Sequence, residues 1–223
     1  MQNLAYSKHF DILCFGDSIT HGRFSSDYKK RSYPARLHQI LQSISTNDSF
    51  NIFNAGHGGA AVLKISPYSY WDTEIYKYSL SIAKAYSIMI IQFGTNDAAH
   101  NKMADNASFI NDYESLIQSY RDVNPNLSIY LSIPPPLYLI LKPLHWTNYN
   151  IRNHTFEVNE LLPDIIKSIS IKNHCILVDV FNALGGKNLT KPQCFTEDGI
   201  HPNDLGYNLI AETVAARMYP FLI

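Results

Sequence analysis

The chain has 223 residues, 46% of them hydrophobic and 13% aromatic, enough apolar surface to bury the core of one domain spanning residues 1–223. Its 18 Lys and Arg against 19 Asp and Glu give a net charge of −1, and no long run of like charge occurs, which excludes the basic face that binding nucleic acid requires. Cys14, Cys175 and Cys194 are odd in number and lack a CxxC spacing, which argues against a disulfide framework and a structural zinc site.

The opening MQNLAYSKHF has no apolar segment of signal-peptide length, and no later run is long enough to cross a membrane. As written, this predicts a cytoplasmic protein, or a secreted one if a leader has been trimmed. Sequons begin at Asn47, Asn106, Asn153 and Asn188, but they carry weight only in a secreted chain.

Five short apolar runs follow in order: FDILCF (10–15), FNIF (50–53), SIMIIQF (87–93), LSIYLSI (127–133) and CILVDV (175–180). Each reads as a buried strand, with Cys14 and Cys175 as apolar side chains within them. Between them lie helical patterns: YPARLHQILQSI with Pro34 near its start, TEIYKYSLSIAKAY, SFINDYESLIQSYRDV with Ser108 as N-cap, VNELLPDIIKSISI, and the terminal LGYNLIAETVAARMY. Strand and helix in alternation predict a parallel sheet covered on both faces, an α/β sandwich that binds ligands at the carboxyl ends of its strands. The long irregular section at about 134–155, opening PPPLYLILKPLHW, predicts a wall at that edge.

Four of the strand ends carry polar, glycine-rich segments. Ser18 lies at the end of strand one in ILCFGDSITHG, where it suits either a helix cap or a nucleophile. Asp198 and His201 lie in EDGIHPNDLGY, and a parallel sheet brings that segment to the same edge. A serine hydroxyl needs a base, and the base needs an orienting carboxylate; Asp198, three residues before His201, can supply it. NAGHGGAAV and FGTNDA, after strands two and three, offer glycine amides and the Asn96 side chain to a developing oxyanion. Any one of these segments also suits an ordinary turn, whereas four coincident strand ends do not.

In this order and spacing, GDSITHG, NAGHGGA, GTND and DGIHPN resemble the four sequence blocks of the GDSL or SGNH hydrolase superfamily, over residues 10–217. The resemblance implies a three-layer α/β/α fold with a five-stranded sheet of flavodoxin-like order, ester hydrolysis, and no metal or organic cofactor. It implies Ser18 as nucleophile, His201 as base and Asp198 as its orienting acid. The oxyanion hole would comprise the Ser18 amide, Gly59 and Asn96, with Gly58 the alternative because the family's second block usually ends Ser-Gly where this chain has Gly58-Gly59. Asp17 would brace the turn without a catalytic role.

Looser likeness to a branch of acetylesterases implies a carbohydrate ester as the small-molecule substrate. His57, Tyr70, Trp71 and Trp146 are candidate substrate contacts, in a set of flat side chains that also includes Tyr68, Tyr138, His145 and Tyr149; His21 and His100 lie beside the blocks too. The same site would serve an O-acetyltransferase or a lipid acyl esterase. A non-catalytic carbohydrate-binding module is disfavoured because none of the expected catalytic positions is substituted, and a nucleotide binder lacks its phosphate-binding loop. The sequence gives no signal for the oligomeric state.

Overall fold

The computed structural model describes residues 7–45, 47–99, 106–138 and 155–222. Five parallel strands, β1 (His9–Gly16), β2 (Ser49–Gly56), β3 (Ile88–Gln92), β4 (Ser128–Ser132) and β5 (Ile176–Val178), form one sheet in the order β2-β1-β3-β4-β5. They fall on the five predicted runs, and the order is the flavodoxin-like one, with the winding direction reversing beside β1. The helices are α1 (Ser18–His21), α2 (Tyr28–Arg31), α3 (Tyr33–Ile44), α4 (Glu74–Ile82), α5 (Thr95–Ala99), α6 (Asn106–Val123), α7 (Leu162–Lys172), α8 (Val180–Ala183) and α9 (Asp204–Leu222).

The strands are apolar without alternation because both sheet faces are covered. Leu13 and Phe15 pack with Phe109, Tyr113 and Ile117 of α6 and Ile166 and Ile169 of α7. Their neighbours Ile12 and Cys14 point the other way, to Leu37 and Leu41 of α3 and Ile210, Val214 and Met218 of α9. Burial of Cys14 pushes its thiol up to about 12, so it behaves as a small apolar side chain.

Two helical segments differ from expectation. The chain is already helical at Asn106, which places Ser108 inside α6 instead of at its cap. The predicted helix over 158–171 forms, but Glu157–Leu161, preceded by helical Thr155 and Phe156, is π-helical. Pro163 supplies no N–H and crowds the carbonyl four residues earlier, which widens that turn. Asn159 uses the opening: its side chain accepts from Leu137 N at 2.8 Å and donates to Leu137 O at 3.1 Å, fixing the exit from β4.

Register sets the working edge. Gly16 at the end of β1 pairs with Gly56 of β2 and Gln92 of β3, so three strands stop level. A side chain at Gly56 would collide with the backbone of His21; its absence lets α1 lie directly against β2. Among the described residues no helix is long and apolar enough to cross a membrane.

Candidate active site

The chain leaves β1 at Gly16 and turns at once into α1. Asp17, not Ser18, is the N-cap: its Oδ1 accepts from Ile19 N at 2.8 Å. Ser18 becomes the first helical residue, and its amide belongs to the turn whose N–H groups lack intrahelical partners. Asn54 at the end of β2 steadies this turn, donating to Thr20 O at 3.0 Å and accepting from Gly56 N at 2.9 Å.

The Ser18 Oγ lies 2.8 Å from His201 Nε2, and His201 Nδ1 lies 2.6 Å from Asp198 Oδ2. The loop that presents this pair is closed on itself. Asp198 Oδ1 accepts from Ile200 N at 2.8 Å and His201 N at 2.9 Å, the Thr196 hydroxyl lies 2.8 Å from the same oxygen, and Thr196 N donates to His201 O. Asn203 then accepts from Leu205 N and Gly206 N at the start of α9 and donates to Gln193 O and Phe195 O. Partial burial alone would raise the Asp198 carboxyl. The side-chain and backbone hydrogen bonds of His201, with its charge, outweigh that and hold Asp198 at about 2, ionised at any working pH.

The glycine segment lies beside this row. His57 N donates to Gly16 O and Ala60 N to His57 O, which makes 57–60 a tight turn whose two central residues are Gly58 and Gly59. Gly59 has φ 79°, in the left-handed region that a side chain would strain, and a Cβ at either glycine would meet nothing within 4 Å. Asn96, the second residue of α5, donates to Ala60 O at 3.0 Å; a carboxamide has two N–H bonds, so one remains. Its neighbour Asp97 accepts from Leu63 N at 2.9 Å, tying the glycine segment to the end of β3. Ser18, His201, Asp198, Asn96 and the glycine turn thus share the carboxyl edge, as the sequence predicts. Among the described residues no group of three His, Cys, Asp or Glu side chains could hold a metal ion.

A cleft of about 610 Å³ opens over Ser18, with Gly58 on one side and residues 21–28 on the other. The predicted aromatic contacts fare unevenly. Tyr70 is a correction: it is fully buried, its hydroxyl donates to Ala55 O at 2.7 Å, and its ring packs on Phe15 and Phe93, so no face is left for a ligand. Trp71 is also turned to structural use, donating from Nε1 to Val62 O at 2.8 Å and packing against Tyr76 beneath the Lys64 ammonium. Tyr138 is buried as well, donating to Leu184 O and packing at a tilt against Phe195. His57 and Tyr68 are exposed near the glycine turn. His100, His145, Trp146 and Tyr149 lie outside the described residues.

The wall made by Arg23, Phe24, Ser25, Ser26, Asp27 and Tyr28 went unread in the sequence. It lacks apolar periodicity, and the available signal was positional: a long connection leaving the end of β1 must cross the ligand edge.

A hydrogen-bonded Ser–His–Asp row at the carboxyl edge of a doubly wound sheet has the layout of a serine hydrolase. The pattern that defines the GDSL-like Lipase/Acylhydrolase family matches residues 14–209, and the chain belongs to that family, a class of ester hydrolases. It is 26% identical over 228 residues to an acetylxylan esterase of Xylanibacter ruminicola, covering 93% of this chain and 42% of that one. Among solved structures, Est24, a carbohydrate acetylesterase from Sinorhizobium meliloti, superposes with a TM-score of 0.72 at 16% identity, over 95% of this chain and 99% of that one. A two-domain esterase active on acetylated mannans gives 0.65 at 17% identity, over 96% of this chain and 49% of that one. The chain therefore spans about two fifths of the first relative's length and half of the last one's. At these identities the solved structures speak for the fold alone.

Proposed function

We propose that this chain hydrolyses short-chain, chiefly acetyl, esters of carbohydrates through an acyl-Ser18 intermediate. The observation that carries the reading is the Ser18–His201–Asp198 row at 2.8 and 2.6 Å on the floor of an open cleft.

The Asp198 carboxylate dictates the tautomer. His201 donates Nδ1–H to it, which leaves Nε2 to accept the Ser18 proton as Oγ attacks the ester carbonyl. The oxygen that gains charge is met by the Ser18 amide, the Gly59 amide and the remaining Asn96 N–H. His201 then passes its proton to the departing sugar alcohol. In the second half it takes a proton from water, whose oxygen attacks the acyl carbon, and returns the proton to Ser18 as acetate leaves. The carbohydrate part of the reading draws on the acetylxylan esterase relative and on a cleft far larger than an acetyl group needs.

The test is the initial rate on p-nitrophenyl acetate and on acetylated xylo-oligosaccharides for the parent and Ser18→Ala. The variant is expected to lose about 10⁴-fold or more in kcat on both. Equal rates for the two proteins would overturn the assignment of Ser18. Activity on the phenyl ester alone would remove the carbohydrate.

A further inference from the structure

The segment between α1 and α2 forms one wall of the cleft, and it is held as part of the fold. Tyr207 of α9 donates to Arg23 O at 2.6 Å, while Asp204 accepts from Ser26 N at 2.9 Å and from Ser26 Oγ at 2.5 Å. Asp27 caps α2 by accepting from Lys29 N. These bonds keep Phe24 at φ 62°, in the left-handed region, with its ring edge-on to the His201 imidazole at 5.2 Å between centroids. The Arg23 guanidinium lies over the same Phe24 ring at 4.9 Å. Further along, Tyr28 stacks on His21 at 5.1 Å, with the Lys29 ammonium 5.9 Å from its ring centre.

The carboxylates around this wall face groups other than Arg23, with Asp204 taken up by Ser26. Asp27 faces Lys30 at 3.7 Å, and Asp198 is taken by His201. Arg23 is exposed, lines the cleft, and its guanidinium has only the Phe24 ring as partner among the described residues. A guanidinium that lines the cleft, lies over the ring touching the His201 imidazole and lacks a carboxylate partner among the described residues is a planar fork, the geometry that takes a carboxylate in two parallel hydrogen bonds. The stacked His21–Tyr28 pair lines the same cleft and gives it a flat face for a sugar ring.

We propose that Arg23 and the Phe24–Tyr28 wall form a subsite for a carboxylate on the substrate, so that the preferred ester is an acetylated saccharide carrying a uronate beside the acetylated residue. This rests on the esterase reading above. A cleft this size holds both an acetylated ring and its acidic neighbour.

The experiment measures kcat/KM on paired acetylated oligosaccharides that differ only in a uronate or its neutral hexose counterpart, with the 6-phosphate ester as a third substrate. The proteins are the parent, Arg23→Gln and Arg23→Lys. The readout is the acidic-to-neutral ratio, so a general loss of activity cancels. In the parent the uronate substrate is expected to lead by about tenfold at low salt, the worth of one charge-assisted contact, and the lead shrinks as salt rises. Arg23→Gln should bring the ratio near one, and Arg23→Lys should keep part of it. A parent ratio near one, an unchanged ratio in Arg23→Gln, or a preference for the phosphate over the uronate would each overturn the proposal. Loss of parent activity on p-nitrophenyl acetate would signal failure of the esterase reading itself, whereas phenyl ester activity without acidic preference would sink the subsite alone.

Discussion

Asp17 and Asp198 both serve Ser18, one from the preceding position in the chain and one through His201, and their carboxyls are displaced in opposite directions. Asp198 collects two backbone amides, a hydroxyl and the imidazole, and is held at about 2 in spite of partial burial. Asp17 is buried and accepts from Ile19 N. Burial, opposed by that bond and reinforced by the nearby charge of Asp97, pushes it up to about 7. Asp97, equally buried and with Oδ2 unpartnered, rises to about 6. Hydrogen bonds to the charged form, not proximity to the serine, decide which carboxylate stays ionised. The site therefore places its full negative charge behind the His201 imidazole and keeps weaker acids under the turn.

Breaking that contrast on the Asp198 side should have the largest effect. Asp198→Asn retains the shape but offers His201 Nδ1 an amide, which no longer fixes the tautomer, and kcat should fall about 10³–10⁴-fold with the fold intact by circular dichroism. Less than a tenfold loss would show that another group orients the imidazole. Asp198 is depressed in the folded state, so its stabilising contribution is present above about pH 4 and is lost as the pH falls toward 2. Asn96→Ala comes next: if its N–H left free by the bond to Ala60 O meets the oxyanion, as proposed, kcat should fall about 10²–10³-fold with little change in KM. A change in KM alone would move Asn96 out of the oxyanion hole.

The Asp17 side should show in stability. Its folded value lies above its unfolded one, so between about pH 4 and 7 the native state binds more protons, and stability falls as pH rises through that window. Asp17→Asn keeps an acceptor for Ile19 N and abolishes the titration. The loss of unfolding free energy between pH 4 and 8, measured in urea, should shrink by on the order of 4 kcal/mol. An unchanged slope would mean that Asp17 ionises as freely as an exposed acid. Gly59→Ala sharpens the same division: open space above the residue leaves only the cost of φ 79°, about 1–2 kcal/mol, or a Tm lower by about 2–8 °C. An unaltered Tm would show that the turn relaxes.

The proposed catalytic edge was legible in the sequence because acyl transfer restricts residue type: it calls for a hydroxyl, an imidazole, a carboxylate and a carboxamide at strand ends, and Ser18, His201, Asp198 and Asn96 stand there. The sheet was legible because β1 to β5 are buried on both faces and read as unbroken apolar runs. The wall at 23–28 was not, because its shape depends on bonds such as Ser26 to Asp204, 178 positions apart, which leave no local pattern. The π-helical turn at Glu157–Leu161 and the placing of Ser108 within α6 are of the same kind, since a helical period does not reveal which turn a proline widens or which serine caps a helix.

The aromatic residues failed for a different reason, and the smallest predicted effect addresses it. Tyr and Trp have an apolar body and one polar atom, so a core position that reaches a carbonyl and a ligand platform look alike in sequence. Tyr70 reaches Ala55 O and Trp71 reaches Val62 O, both beneath the glycine turn. Tyr70→Phe removes one hydroxyl and leaves the ring packed against Phe15 and Phe93. Stability should drop by about 1 kcal/mol, because a buried carbonyl loses its donor. KM for acetylated xylo-oligosaccharides should stay within a factor of two of the parent. A larger KM with stability unchanged would put Tyr70 back at the substrate, which its complete burial opposes.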